Sequence, residues 1–172
     1  MLLRILLSGA YTDRILAPAI ELTHDMPQVR KSILVPYSAR RMFDLVADVP
    51  SYPNFMPWCG GAHMQTENDG RVRATIDIHF RGVRSGFTTL NRHSGPDGIE
   101  MEFADGPFSS FAGRWRFAGL TGFAQGEACK VEFALDYEFS SNLLGRLIAP
   151  VFDVIATSFI DAFSARAEKI YG

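Results

Sequence analysis

The histidines and cysteines are the residues of this chain whose chemistry would suit a metal site or a nucleophile. His63, His79 and His93 are 16 and 14 positions apart, and Cys59 and Cys129 are 70 positions apart. Metal-binding motifs such as HExxH, HxH and CxxC hold two ligands close together along the chain, and no such pair occurs here. A lone cysteine is more often a small buried hydrophobic residue than a nucleophile. We therefore expect neither a metal site nor nucleophilic catalysis.

Asp77 and His79 are spaced so that they could act as a general acid–base pair. They lie in the segment RVRATIDIHF (71–80), in which apolar and polar residues alternate. Such alternation is typical of a strand with one buried face, and it places both side chains on the outer, solvated face. An outer face has no pocket for a substrate, so we interpret the pair as surface residues. The chain also lacks the GxGxxG, GxxxxGK[S/T] and GxSxG motifs, and we predict no catalytic residue.

Aromatic residues, and phenylalanine above all, are unusually frequent. The chain has 14 Phe, 5 Tyr and 2 Trp, which is 12% of its residues. Phenylalanine carries no polar group, so it serves either core packing or contact with an apolar ligand, and the sequence leaves both open. The predicted ligand contacts among the inward-pointing positions are Phe80, Phe87, Phe103, Phe108, Trp115, Phe117, Phe133, Tyr137, Phe152, Phe159 and Phe163.

A proline-rich segment, residues 50–59, is too apolar for a solvated loop. It carries Tyr52, Phe55, Met56 and Trp58 between three prolines, which forbid a long helix. Two interpretations stay open. The four side chains either form the mouth of a ligand tunnel that touches a membrane interface, where Trp and Tyr are favoured, or plug the edge of the core. In the first case they contact the ligand.

The remaining residues predict strands followed by one long helix. Alternation or β-branched content predicts six strands, at residues 28–35, 71–80, 83–92, 99–103, 110–117 and 131–139. Ser38 is a suitable N-cap for a short helix over 39–49. A C-terminal helix of roughly 28 residues, capped by Ser141 or Asn142, carries an apolar stripe at Leu144, Ile148, Val151, Ile155, Phe159 and Phe163.

This order of elements predicts an α+β fold. An antiparallel sheet of six to seven strands has one apolar face, and the long C-terminal helix is the one large element available to cover it. We expect a curved sheet wrapped on that helix. One helix cannot fill the space over a curved sheet at every point, so we expect an elongated apolar tunnel between them as the ligand site.

Length and composition exclude several classes of protein. The chain has 172 residues, 47% hydrophobic and 21% charged, with a net charge of −2, as expected for one globular domain. The charge balance argues against binding DNA by bulk electrostatics. No uninterrupted apolar run approaches the ~18 residues of a membrane span, so we expect no integral membrane protein.

The first 26 residues differ from the rest. They are too acidic for a transit peptide, and their apolar run is short for a signal peptide. Two interpretations remain, a disordered N-terminal extension or a segment upstream of the true start at Met26. Residues 27–172 are expected to form the ligand-binding domain.

Arginines on outward strand positions favour a nucleic-acid surface at first sight, because such a face could bind RNA phosphates. Acidic residues occupy outward positions on neighbouring strands, so cross-strand ion pairs explain the arginines equally well. The basic set is Arg71, Arg73, Arg84, Arg114 and Arg116, and the acidic set is Glu100, Glu102, Glu132, Asp136 and Glu138.

Four segments together resemble the coenzyme Q-binding family of the START-like, polyketide-cyclase superfamily, which includes RatA-type toxins. They are DVPSYPNFMPWC (48–59), GPF (106–108), WRF (115–117) and the ending VFDVIATSFIDAFSARAEKIYG (151–172). The resemblance spans about residues 27–172. The leucine usual before PWC is Met56 here, a volume-conserving exchange.

The resemblance implies a helix-grip (START/Bet v-like) fold without intrinsic catalysis. It implies ubiquinone (coenzyme Q), or a similar isoprenoid lipid, as a bound ligand with no covalent cofactor, held by a lipid chaperone or carrier that supports respiration. The RatA name implies an alternative, a toxin that binds the large ribosomal subunit and inhibits translation initiation. The superfamily also permits an aromatase or cyclase, but no inward acid–base pair is apparent in the sequence.

Localisation follows from the same resemblance. We expect a cytoplasmic protein peripheral to the inner membrane in a bacterium, or one on the matrix side of the mitochondrial inner membrane in a eukaryote.

Overall fold

A computed structural model describes residues 27–121 and 127–172, without the side chain of Leu144. The predicted N-terminal extension and most of the predicted turn at 119–126 lie outside the described residues. The described elements are β1 (Gln28–Val35), α1 (Ala39–Ala47), a 3-10 turn (Val49–Asn54), β2 (Cys59–Thr66), β3 (Val72–Phe80), β4 (Val83–His93), a second 3-10 turn (Gly95–Asp97), β5 (Gly98–Asp105), β6 (Phe108–Leu120), β7 (Ala128–Phe139) and α2 (Asn142–Tyr171).

Seven strands of the described residues form one antiparallel sheet in the order β1-β7-β6-β5-β4-β3-β2. Consecutive strands from β2 to β7 are neighbours, and β1 joins the far edge by pairing with β7, from Gln28 opposite Asp136 to Val35 opposite Cys129. The α+β prediction is confirmed. The chain thus brings its first and last strands together beside α2.

The predicted alternation places the apolar side chains on one face of the sheet. In β7, Val131, Phe133, Leu135 and Tyr137 are each at most 3% exposed, and the residues between them are half-buried. α2 covers this face with Phe152, Ile155 and Phe163 among its buried residues. Burying one side chain of this size stabilises the fold by about 1.5–3 kcal/mol. The core therefore lies between the sheet and α2.

α1 and the 3-10 turn close one end of the core. The Ser38 hydroxyl accepts a hydrogen bond from the Arg41 N–H at 3.3 Å, as predicted for an N-cap. Met42, Phe43 and Val46 form the buried side of α1. The helix ends at Ala47, and the prolines that follow permit only the short 3-10 turn.

Sequence patterning misses β2, whose sequence CGGAHMQT has two glycines and no clear alternation. The glycines are needed for close approach to β3. A Cβ at Gly60 would lie 2.2 Å from Nδ1 of His79, and one at Gly61 would lie 2.8 Å from Oδ2 of Asp77. The Asp77 and His79 side chains thus lie over glycines of the edge strand, on the outer face as predicted.

α2 runs for 30 residues, with Pro150 inside it. Its buried side differs from the predicted stripe at the beginning of the helix, where Ile148 and Val151 are only half-buried and Leu143 and Leu147 are 69% and 64% exposed. Full burial starts at Phe152.

One stretch of α2 could cross a membrane by length and composition alone. This stretch is Gly145–Tyr171, and 33% of its most apolar part is buried within the protein. The core helix of a globular domain meets the same two criteria, so this helix does not contradict the expectation of a protein without a membrane span.

Candidate functional site

A cavity of about 40 Å³ lies between the inner face of the sheet and α2. Its walls come from strands β3 to β7, the first 3-10 turn and α2. Six of the predicted ligand contacts line it: Tyr52, Phe87, Trp115, Phe133, Phe152 and Phe159.

A second cavity of about 20 Å³ lies beside the first. The two share five wall residues, namely Val49, Tyr52, Asn91, Met101 and Trp115. The second cavity extends the row toward α1, where Val46 and His93 complete its wall. Together the cavities mark an elongated but interrupted space along the inner face.

The predicted open tunnel is absent from this conformation of the described residues. A space of 40 Å³ suits about one water molecule, whereas ligand pockets typically measure about 300–1,000 Å³. The reason is aromatic packing, which residue alternation does not reveal. The ring centroids of Trp115 and Phe133 are 4.6 Å apart, and those of Trp58 and Phe159 are 5.1 Å apart.

Nine predicted contacts line neither of these two cavities. Those near the 106–108 turn form an aromatic cluster in which the ring of Phe108 lies 5.0 Å from that of Phe152, and Phe152 lies 4.8 Å from Tyr137. The others pack around the proline-rich segment, β3 and the end of α2, except Phe117, whose ring lies 6.0 Å from that of Phe43 in α1. The nine are Phe55, Met56, Trp58, Phe80, Phe103, Phe108, Phe117, Tyr137 and Phe163.

The proline-rich segment is largely buried, which favours the interpretation as a plug. Tyr52, Met56 and Trp58 are each at most 5% exposed. Phe55 is half-buried against Phe163 at 5.4 Å, and the Arg166 guanidinium lies 5.4 Å from the Phe55 ring. These contacts fasten the segment to α2.

Tyr52 also completes the end of α1. Its hydroxyl donates to the Val46 carbonyl at 2.6 Å. The helical partner of that carbonyl would be the N–H of residue 50, which is a proline and has none. Burial raises the pKa of the Tyr52 phenol far above its ordinary value, so the hydroxyl stays protonated and remains a donor.

Asn91 is the polar residue of the site that sequence reasoning missed. It is 6% exposed, lines both cavities, and its Oδ1 has no hydrogen-bond partner among the described residues. The alternation along β4 could have shown this, because it places Phe87, Thr89 and Asn91 on the inward face. Thr89 also lines the larger cavity.

The remaining buried titratable groups favour their neutral forms. Burial raises the pKa of the Cys129 thiol to about 11, and burial is also the main cause of a raised pKa at Cys59. Burial, with a hydrogen bond to Asp153, raises the pKa of Tyr137. Neither cavity is lined by an acidic residue, a lysine or an arginine. Among the described residues, no three His, Cys, Asp or Glu side chains cluster as metal ligands would.

The outer face carries a basic groove beside β1, β6 and β7. Arg30, Lys31, Arg114 and Arg116 line it together with Glu132, and the groove measures about 360 Å³. The Lys130 ammonium, with smaller contributions from Arg116 and Arg114, lowers the pKa of the Glu132 carboxyl.

Ion pairs account for only some of the outward arginines. Arg71 pairs with Asp69 at 2.8 Å and with Glu102 at 3.7 Å, and Arg73 pairs with Glu67 at 2.5 Å. Arg114 and Arg116 are exposed and form no ion pair within 4 Å in the described part of the chain. The sheet register nevertheless places Glu100 opposite Arg114 and Glu132 opposite Arg116, so the predicted cross-strand opposition of charges is present without a close ion pair.

This combination of an antiparallel sheet, a long C-terminal helix across it and an apolar interior defines a START-like domain. The chain belongs to the family described as "Polyketide cyclase / dehydrase and lipid transport", whose model matches residues 35–164.

Two relatives of known name are similar over most of this chain. "Ribosome association toxin RatA" of Escherichia coli K12 is 39% identical over 146 residues, 85% of this chain and 90% of that protein. "Coenzyme Q-binding protein COQ10 homolog B, mitochondrial" of Xenopus laevis is 29% identical over 144 residues, 83% of this chain and 58% of that protein. The family prediction is confirmed.

Solved structures share the fold at low sequence identity. A START superfamily protein from Mycobacterium smegmatis aligns with a TM-score of 0.67 and 21% identity, covering 83% of this chain and 98% of that chain. The Zhui aromatase/cyclase from Streptomyces aligns with a TM-score of 0.68 and 17% identity, covering 84% and 94%. Likeness at this identity concerns the fold alone, which both binding proteins and enzymes use.

Proposed function

We propose that this protein binds an isoprenoid lipid, with ubiquinone as the candidate, between its sheet and α2 and carries it shielded from water. The observation that carries the proposal is the apolar, aromatic-walled cavity row with no charged side chain in its walls. Such walls suit an isoprenoid tail, whose burial contributes roughly 25 cal/mol per Å². The family description and the name of the Xenopus relative support the same class of ligand.

Lipid binding between the sheet and α2 requires the two small cavities to open into a larger one. The two cavities are divided by side chains they share, and Met101 among them is only half-buried and unbranched. Movement of such side chains, or of the first turns of α2, would join the cavities into one elongated site. Lipid binding is then an induced fit into a closed ground state.

The absence of an acidic residue, lysine or arginine from both cavity walls favours binding over catalysis. Aldol-type cyclisation needs an acid and a base on one substrate, and His93 is the one imidazole in these walls, where burial lowers its pKa and favours the neutral form. We therefore propose a carrier without intrinsic turnover. We also propose that the carrier works peripherally at the membrane that holds its lipid, in the cytoplasm or the mitochondrial matrix according to its host.

Organic extraction tests the carrier directly. Protein purified from its native host without detergent is extracted and analysed by mass spectrometry, with a similarly purified unrelated protein as control. We expect an isoprenoid quinone in near-stoichiometric amount. A lipid-free extract from folded protein would overturn the proposal.

A ribosome-binding function is the second candidate, and the basic groove that contains Arg114 and Arg116 favours it. Exposed guanidinium groups that form no close ion pair suit phosphate contacts. The name of the Escherichia coli relative supports the same partner.

Co-sedimentation with the large ribosomal subunit tests this candidate. Arg114→Glu with Arg116→Glu should abolish binding, whereas Arg84→Glu with Lys169→Glu, an equal change of charge at exposed positions elsewhere, should not. If both double variants lose ribosome binding equally, the loss reflects the change in net charge alone. That result would contradict a specific site.

A further inference from the structure

Asn91 stands alone as a buried amide at the junction of the two cavities. It lies on β4 between Val72 of β3 and Met101 of β5, in the interior of the sheet. Its side chain is 94% buried, and its Oδ1 accepts no hydrogen bond from any described residue. Buried polar groups are nearly always paired, because an unpaired one costs free energy that the fold must supply elsewhere.

The surroundings define what could pair with this amide. Trp115, Val49 and Met101 line both cavities together with it, and no acidic residue, lysine or arginine lines either cavity. A carboxylate or phosphate placed there would be buried without a counter-charge, which is strongly unfavourable. A neutral hydroxyl costs little to bury once it is hydrogen-bonded, and the unpaired amide oxygen can accept a hydrogen bond from it.

We propose that Asn91 is the polar anchor of the lipid site and selects neutral head groups with a hydroxyl, such as an alcohol or a quinol, over hydrocarbons and acids. This inference rests on the proposed function and names the determinant of its specificity. The head group lies at Asn91, between the two cavities, and the apolar remainder extends along the aromatic walls.

The position of Asn91 also explains why the site tolerates an unpaired amide in a core otherwise built from apolar side chains. A leucine at this position would fill the same space without an unmet hydrogen bond. The ligand-free protein is therefore less stable than it could be, as expected where a buried group serves binding.

The test uses three probes of matched carbon skeleton, geraniol, the corresponding hydrocarbon and geranic acid, with wild-type protein, Asn91→Leu and Thr88→Val. Thr88 lies on the outer face, bonded to Thr75 at 2.9 Å, so its variant removes a hydroxyl of β4 away from the cavities. Dissociation constants are measured by calorimetry and unfolding by denaturant.

We expect Asn91→Leu to weaken geraniol binding roughly 3–10-fold, the effect of one lost hydrogen bond. Hydrocarbon binding should be unchanged or tighter, and the unfolding midpoint without ligand should rise. Thr88→Val should alter neither dissociation constant. Geranic acid should bind more weakly than geraniol to wild-type protein.

Three outcomes would overturn the anchor. An equal change for geraniol and hydrocarbon in Asn91→Leu would show a packing role or a site for one resident water only. A lower unfolding midpoint for ligand-free Asn91→Leu would show that the amide serves the stability of the fold. Absence of binding by all three probes would overturn the proposed function together with the anchor, whereas the first two outcomes leave lipid binding intact.

Discussion

Single hydroxyl and amide groups fix the walls of the cavity, and Tyr52 shows how. Its ring lines both cavities. Its hydroxyl donates a hydrogen bond to the Val46 carbonyl at the end of α1, which Pro50 cannot bond because it has no N–H. One residue therefore holds a helix end and forms part of the ligand wall. We expect a substitution of Tyr52 to lower the stability of the fold more readily than the affinity for a ligand.

Tyr52→Phe removes only the hydroxyl and leaves the buried Val46 carbonyl without a donor. We expect a loss of about 1–3 kcal/mol in the free energy of unfolding, measured by urea denaturation. Tyr171→Phe is the matched control, because the Tyr171 hydroxyl donates to an exposed-side carbonyl of Arg41 at 3.3 Å and its loss should cost less. Equal losses in the two variants would contradict the role given to Tyr52.

The sequence predicts which aromatic residues point toward the core, but it does not predict which of them line a cavity. Phe117 and Phe133 occupy equivalent inward positions on neighbouring strands, and only Phe133 lines a cavity. The difference arises from side chains on other elements, which alternation along one strand does not contain. Asn91 was readable from the β4 alternation, yet a polar residue is easily assigned to the outer face.

Among the elements, the edge strand β2 depends on glycines rather than on β-forming side chains. Gly60 lies beneath the His79 ring, and Gly61 beneath the Asp77 carboxylate. The Trp58 carbonyl accepts a hydrogen bond from the His79 N–H at 2.8 Å, which joins the proline-rich segment to β3. β2 thereby ties that segment to the sheet.

Gly60→Ala should destabilise the protein by about 1–3 kcal/mol, because its Cβ would overlap the His79 ring and force the ring or the strand to shift. His79→Ala, at an exposed position, should cost little alone and should restore most of the loss when combined with Gly60→Ala. The measurement is a double-mutant cycle of unfolding free energies. Additive costs would show that the ring is not the obstacle.

The elements with strong periodicity were predicted well, and those set by tertiary contacts were not. Strand β7 and helix α2 follow simple apolar patterns, whereas β2 exists because β3 pairs with it across a glycine-rich register shift. The first turns of α2 carry apolar residues, but the sheet ends before it can bury them. Leu143 and Leu147 are consequently exposed.

For the molecule as a whole, the fold was expected from the order of its elements, while the openness of its interior was not. The backbones of the sheet and α2 leave a space between them, and large aromatic side chains fill most of that space. We expect this closed interior to open for an isoprenoid lipid at the cavity next to Trp115.

Filling that cavity tests the claim most directly. Ala74 is 2% exposed and lines the larger cavity, so Ala74→Leu should place three further carbons in the space, while Ala112→Leu adds the same atoms on the exposed face of β6. Both are made with Trp58→Phe, which leaves Trp115 as the reporter, since the chain has 2 Trp. Circular dichroism and denaturant unfolding verify that each variant is folded.

The measurement is the quenching of Trp115 fluorescence on titration with a short-chain ubiquinone bearing one isoprene unit. We expect saturable quenching in the parent and in Ala112→Leu, and an affinity at least roughly tenfold weaker in Ala74→Leu, equivalent to about 1.4 kcal/mol. Quenching of equal affinity in all three folded proteins, or saturable quenching in none of them, would contradict this expectation.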